Sequence, residues 1–87
     1  MCYVYILQSI KTGSYYIGST INTENRLEKH NKGYVASTKN GRPWDLKISQ
    51  KYQSITQAKN IEYRLKRLKR RDYIEKMIND GYIKIIP

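Results

Sequence analysis

The chain has 87 residues, a formal charge of +10 and 39% hydrophobic residues, which suits one compact domain over residues 1–87 and excludes an acidic or membrane-embedded protein. No stretch approaches the ~20 apolar residues of a membrane span, Met1 to Thr12 lacks an apolar run ending in a cleavage site, and Cys2 is the only cysteine. The reading is a soluble, cytoplasmic protein with no disulfide frame and no cysteine-rich zinc site. Charge of this size favours an anionic polymer, DNA or RNA, as partner. AT-rich coding would also enrich Lys, Ile, Asn and Tyr, so charge alone does not decide the matter.

Tyr3 to Gln8 and Tyr15 to Thr20 are rich in β-formers, with turn chemistry between them in Ser9-Ile10-Lys11-Thr12-Gly13-Ser14. They predict an antiparallel hairpin. With Tyr5 opposite Gly18, Leu7 faces Tyr16, and Tyr5 and Tyr16 become diagonal neighbours on one face. A slip of one residue would put them on opposite faces.

Asn22 or Thr23 can cap a helix over Thr23 to Lys32, with Glu24 in its first turn and Gly33 as a left-handed stop. Ile21, Leu27 and Tyr34 read as its apolar anchors, and Arg26 and His30, four apart, share one flank. Gly33 to Arg42 reads as a loop with one helical turn, and Trp44 to Tyr52 as a third strand entered at Pro43. Trp44 itself reads as a buried anchor.

Ser54-Ile55-Thr56-Gln57 has capping-box spacing, and Ala58, Ile61, Leu65 and Leu68 then recur at helical intervals. Glu62 falls at the edge of that stripe, with Lys59, Lys66 and Arg70 on its flank. After a break in the basic run Lys66 to Arg71, Tyr73, Ile74, Met77 and Ile78 predict a further helix stopped by Gly81. Ile83, Ile85 and Ile86 form a tail that covers an apolar edge.

Taken singly, Glu62 reads as half of a helical ion pair with Lys66, His30 as a capping or surface residue, and Arg26 as a helix-surface charge. Their order along the chain changes the weighting. Tyr3-Val4-Tyr5, Tyr16-Ile17-Gly18, Arg26-Leu27, His30-Asn31, Gly41-Arg42-Pro43-Trp44, and Ala58 followed by Glu62 together resemble the GIY-YIG endonuclease superfamily. The similarity is to its small single-domain members, related to nuclease domains of excision-repair and structure-specific enzymes, and runs from Tyr3 to about Ile78.

The resemblance implies an α+β fold, a small three-stranded antiparallel sheet flanked by helices. It also implies divalent-metal-dependent hydrolysis of DNA phosphodiester bonds. Implied catalytic residues are Tyr5, Tyr16, Arg26, His30 and Glu62. Glu62 would be the only protein ligand of Mg²⁺ or Mn²⁺, Arg26 would hold the scissile phosphate, and Tyr5 or Tyr16 would deprotonate water. Lys39, Arg42, Lys59, Lys66 and Arg70 would bind nucleic acid.

The sequence departs from the family pattern in three ways: Tyr3 stands for the name-giving glycine, Ser19 for a lysine, and no residue matches the asparagine that follows the metal glutamate in the repair enzymes. With that lysine gone, His30 becomes the expected cation beside the phenol. So small a chain would select DNA by strand state, as single strands, flaps or nicks, acting as a monomer or a homodimer or with an accessory protein. The alternative is a nucleic-acid-binding module that keeps the fold without cutting.

Overall fold

A computed structural model describes residues 2–85 of the chain, so Met1, Ile86 and Pro87, including the Ile86 end of the expected tail, lie outside the described residues. The elements run β1 (Cys2–Ser9), β2 (Tyr15–Thr20), α1 (Thr23–Asn31), a 3₁₀ segment (Ala36–Gly41), β3 (Trp44–Tyr52), α2 (Ile55–Leu68) and α3 (Arg71–Asp80). The fold is α+β, with a three-stranded antiparallel sheet in the order β2-β1-β3. Among the described residues, no helix is long and apolar enough to cross a membrane.

β1 is the central strand, and both of its faces are covered, which is why its sequence is an almost unbroken apolar run. Cys2, Val4 and Ile6 point into a core completed by Ile48, Tyr52, Ala58, Ile61, Leu65, Ile74 and Met77. Cys2 is therefore a core residue, and its thiol donates to the Thr20 carbonyl at 3.5 Å. Tyr5 and Leu7 point the other way, into a smaller cluster with Trp44, Tyr16, Leu27 and Leu46. The hairpin has the expected register, with Tyr5 opposite Gly18 and Leu7 opposite Tyr16.

β3 serves both faces because its register against β1 shifts between the Ile6–Ile48 and Leu7–Leu46 pairs. The extra residue reverses the alternation of side chains along the strand. Leu46 and Ile48, two apart, consequently belong to opposite cores.

Asn22 caps α1 by accepting from the Asn25 amide at 3.0 Å, and Gly33, with φ +80°, follows its last turn. Two of the expected anchors around α1 are not anchors: Ile21 is 72% exposed and Tyr34 74%. Leu27 does pack, and the fully buried inward position one turn later belongs to His30. Ser54 caps α2 through the Gln57 amide. α2 ends at Leu68, because Lys69 adopts a left-handed φ of 49°. Arg70 thus precedes α3 and pairs with Asp72 at 2.8 Å. Gly81, at φ +85°, ends α3, and Ile83 is buried, tied to β3 by its amide and the Gln50 side chain at 2.6 Å.

The Tyr5 ring crosses β2 directly above Gly18. A Cβ there would lie 2.5 Å from the Tyr5 hydroxyl oxygen and 2.7 Å from its Cζ. Since the ring is buried and hydrogen-bonded, it cannot swing clear, and Gly18→Ala is expected to destabilise the fold by about 1–3 kcal/mol. A fall in the urea midpoint at unchanged slope measures this; an unaltered midpoint would mean that the ring is free to move.

Candidate active site

β1, β2 and α1 deliver four of the expected residues to one face of the sheet. Tyr5 comes from the middle of β1 and Tyr16 from the diagonal position on β2, with ring centroids 6.4 Å apart. Arg26 and His30 come from successive turns of α1. The His30 ring packs edge-on against both phenols, with centroids 5.9 Å from Tyr5 and 4.9 Å from Tyr16. Trp44 closes the cluster, 6.3 Å from Tyr16, with only 7% of its surface exposed. It is the anchor expected from the sequence.

A hydrogen-bonded chain runs through this cluster. The Tyr5 hydroxyl lies 2.9 Å from His30 Nε2, His30 Nδ1 lies 2.7 Å from Thr38 Oγ1, and that hydroxyl donates to the Val35 carbonyl at 3.3 Å. One proton arrangement satisfies all of these contacts. With the Thr38 proton on the Val35 carbonyl, Thr38 Oγ1 accepts from His30 Nδ1–H, which leaves Nε2 as acceptor for the Tyr5 O–H. The Arg26 guanidinium lies close enough for its charge to bear on both Tyr5 and His30.

Burial pushes the His30 pKa down, and the nearby charge of Arg26 pushes it further, to about 4. At neutral pH His30 is uncharged. It therefore cannot be the cation expected beside the phenol in place of the missing lysine; its place in the hydrogen-bonded chain is that of a proton acceptor. Arg26 is the cation whose charge bears on Tyr5. Burial raises the Tyr5 pKa, a hydrogen bond and charge from Arg26 lower it, and Tyr16 and Glu62 raise it, with a net upward shift. Tyr5 is consequently a neutral phenol in the free protein.

Glu62 comes from α2, on the other side of the sheet, and reaches the rim of β2. Ser19, whose side chain alternates away from those of Tyr16 and Gly18, donates to Glu62 Oε1 at 2.6 Å. Lys66 holds Oε2 at 2.7 Å, and Lys59 stands 3.6 Å from Oε1. Burial works to raise the Glu62 pKa, but these hydrogen bonds and charges outweigh it and keep the carboxyl below its usual range. The Glu62 charge acts on the Tyr5 phenol, so the acid and the phenol share one electrostatic neighbourhood across the β2 edge.

The expected nucleic-acid contacts are scattered more widely. Lys59 and Lys66 flank Glu62. Arg42 and Lys39 border a surface hollow of about 440 Å³ with Lys11, Asn31, Asn40 and Pro43. The Arg42 Nε donates to the Lys39 carbonyl at 2.8 Å. Arg70 pairs with Asp72 and shares a surface hollow with Lys66.

Three residues support the site in roles that the sequence did not reveal. Thr38 carries the His30 ring but sits in a polar segment with no periodic signal. Asn31 clamps the Trp44 backbone through both side-chain atoms, at 2.7 and 3.1 Å, and so fixes the segment that holds Thr38. Ser19 was visible only as a missing lysine, although strand alternation does turn it toward α2.

A buried phenol bonded to a histidine, the charge of an arginine bearing on both, and a lone acid at the sheet edge are held by a domain in which a glycine must underlie the first tyrosine. The chain belongs to the GIY-YIG family: the GIY-YIG catalytic domain matches residues 1–77. It is similar to a UPF0213 protein of Halalkalibacterium halodurans, 40% identical over 70 residues that cover 79% of this chain and 73% of the relative. A UPF0213 protein of Bacillus licheniformis is 36% identical over 83 residues, covering 91% and 84%. The solution NMR structure of the UPF0213 protein from Bacillus halodurans matches with a TM-score of 0.57 at 36% identity, over 93% of this chain and 87% of that one.

The state of His30 sets a pH dependence. An unfolded histidine gains its proton below about 6.5, whereas folded His30 gains it only near 4, so the unfolded state binds more protons between these values. Stability is complete above pH 6.5 and falls as pH drops toward 4, by on the order of 3 kcal/mol from this residue. Thermal melts should show that loss in the wild type and a flatter profile in His30→Gln over the same window. Carboxylates such as Glu62 lose their contribution lower, below about 4.5. Equal slopes for both proteins between pH 6.5 and 4.5 would refute a buried neutral His30.

Proposed function

We propose that this protein is a divalent-metal-dependent endonuclease that hydrolyses DNA phosphodiester bonds, with Tyr5, Tyr16, Arg26, His30 and Glu62 as its site. The observation that carries this reading is the Tyr5–His30 hydrogen bond with the charge of Arg26 bearing on both, a phenol joined to a proton acceptor beside a cation able to bind phosphate. Among the described residues no three His, Cys, Asp or Glu side chains gather as a metal cage. A single carboxylate fits Mg²⁺ or Mn²⁺, since such ions keep several waters and take the rest of their ligands from phosphate oxygens. When bound, the ion supplies Lewis-acid stabilisation of the charge that develops on the phosphate and departing oxygen.

The residues divide the remaining work. Arg26 engages the phosphate through its guanidinium fork. Tyr5 takes a proton from the attacking water as its own proton moves to His30 Nε2. In the free protein this transfer is unfavourable, because Tyr5 is held up and His30 is held down. Part of the pressure on His30 is the charge of Arg26. A phosphate on Arg26 offsets that charge, raises the basicity of His30 and so arms Tyr5 only when substrate is present. Tyr16 packs against the His30 ring and fixes its plane.

Lys39, Arg42, Lys59 and Lys66 are exposed, and exposed cations read backbone phosphate rather than base identity. We therefore propose selection by strand state, with single-stranded, flap or nicked DNA preferred over intact duplex. The competing reading, a binding module that does not cut, draws on the Glu62 carboxylate being fully engaged by Lys66 and Ser19.

Nicking of labelled single-stranded, duplex and flap oligonucleotides with Mg²⁺ or Mn²⁺ separates the two. Tyr5→Phe is expected to lower the rate 10²- to 10⁴-fold with little change in DNA affinity. Glu62→Gln and chelator should each abolish nicking. Tight binding without metal-dependent nicking would leave the module.

A further inference from the structure

Glu62 already carries a cation. Its side chain is 14% exposed and both oxygens are engaged, Oε1 by Ser19 at 2.6 Å and Oε2 by the Lys66 ammonium at 2.7 Å. The two partners differ in kind. Ser19 is neutral, belongs to a strand and orients the carboxylate plane. Lys66 is charged, on a long side chain and 52% exposed, and it occupies Oε2, the oxygen that Ser19 leaves open.

We propose that Lys66 is a displaceable counter-ion, occupying the divalent ion's place at Glu62 in the free protein and passing to a nucleic-acid phosphate when the ion enters. This rests on the reading of Glu62 as the ion's ligand. An ion at about 2.0–2.1 Å from Oε2 competes with the ammonium on the same oxygen, for the same lone pair and through repulsion between the two cations. The ion weakens the ammonium's hold, and a phosphate that the ion also contacts offers the solvent-facing ammonium a new partner on that flank. Lys59, at 3.6 Å and 63% exposed, is the lesser competitor.

Two consequences follow from displacement. Metal affinity in the absence of DNA is suppressed by Lys66, and DNA relieves that suppression by drawing Lys66 away. Ion and DNA therefore bind synergistically, each aiding the other by the same factor. An ordinary helical ion pair four residues apart would have neither property: its loss would change stability slightly and leave metal affinity alone.

The test is Mn²⁺ binding to the full chain without DNA, read from the free-ion EPR signal, with the Ser19 and Glu62 amide shifts locating the ion in a parallel Mg²⁺ titration. Lys66→Met is expected to tighten Mn²⁺ about three- to tenfold, because it removes one charge-assisted bond from the carboxylate. Lys59→Met should tighten it less, and Lys66→Arg not at all. In a Tyr5→Phe background, a short oligothymidylate should tighten Mn²⁺ binding with Lys66 present and less in Lys66→Met. If Lys66→Met fails to fold, Lys66→Gln carries the same expectation. Unchanged or weaker Mn²⁺ binding in the folded variant overturns the proposal while leaving the nuclease reading intact. Mn²⁺ binding that survives Glu62→Gln undoes the metal site itself.

Discussion

The Tyr5 phenol is buried at the centre of the sheet, and a buried hydroxyl must find a partner or lose on the order of 1–3 kcal/mol. His30 Nε2 is that partner, and the requirement propagates outward from it. The imidazole must be neutral to accept, so its other nitrogen needs an acceptor, which Thr38 provides. Thr38 must be held in place, and the 3₁₀ segment that carries it is fixed by the Trp44 indole donating to its carbonyl at 2.8 Å and by Ser9 bonding Gly41 at 2.6 Å. Gly18 must lack a Cβ for the ring to lie where it does. One strand-centre tyrosine thus dictates residues on β2, α1, the 3₁₀ segment and β3.

The same chain of dependence explains why the smaller core is largely polar and aromatic. The α2 face of the sheet is closed by aliphatic packing of Ile61, Leu65, Ile74 and Met77 against Val4 and Ile6. The α1 face is closed by rings joined through hydrogen bonds, and no buried side-chain N or O there lacks a partner among the described residues. Such a network is geometrically demanding and fixes side-chain positions more sharply than aliphatic packing does. The aliphatic core supports the fold, and the hydrogen-bonded core positions chemical groups.

How much of this was legible in the sequence depended on whether the signal was periodic. The hairpin register followed from matching two short strands, and α2 from its capping residues and apolar stripe, so Tyr5, Tyr16 and Glu62 were placed correctly on their elements. β3 looked like one alternating strand because the register shift near Lys47, which sends Leu46 and Ile48 to different cores, leaves no mark on composition. The break expected within Lys66 to Arg71 falls at Lys69, without a glycine to mark it, so Arg70 lies beyond the end of α2 rather than on it. Hydrophobicity misled around α1, where Ile21 and Tyr34 looked like anchors and His30 took the buried position. His30 was expected as a cation only because Ser19 stands where the family carries a lysine. Deep burial, together with the charge of Arg26, keeps it uncharged well below its ordinary pKa.

That neutrality alters how the positive charge of the protein should be understood. The surface is rich in Lys and Arg, yet the centre of the site holds an uncharged phenol and an uncharged imidazole. Arg26 is at once the group that repels a proton from His30 and a group with the geometry to clamp a phosphate. Any anion that binds Arg26 therefore changes the proton affinity of His30 without touching it. At Glu62 the arrangement is complementary: cations already surround the acid and hold it ionised. Both halves are electrostatically satisfied in the free protein, one by neutrality and the other by pairing. An anion arriving between them disturbs both in the same sense, drawing Arg26 away from the phenol and lysine away from the acid. A polyanion is the natural agent for this, since it presents phosphates to both halves at once.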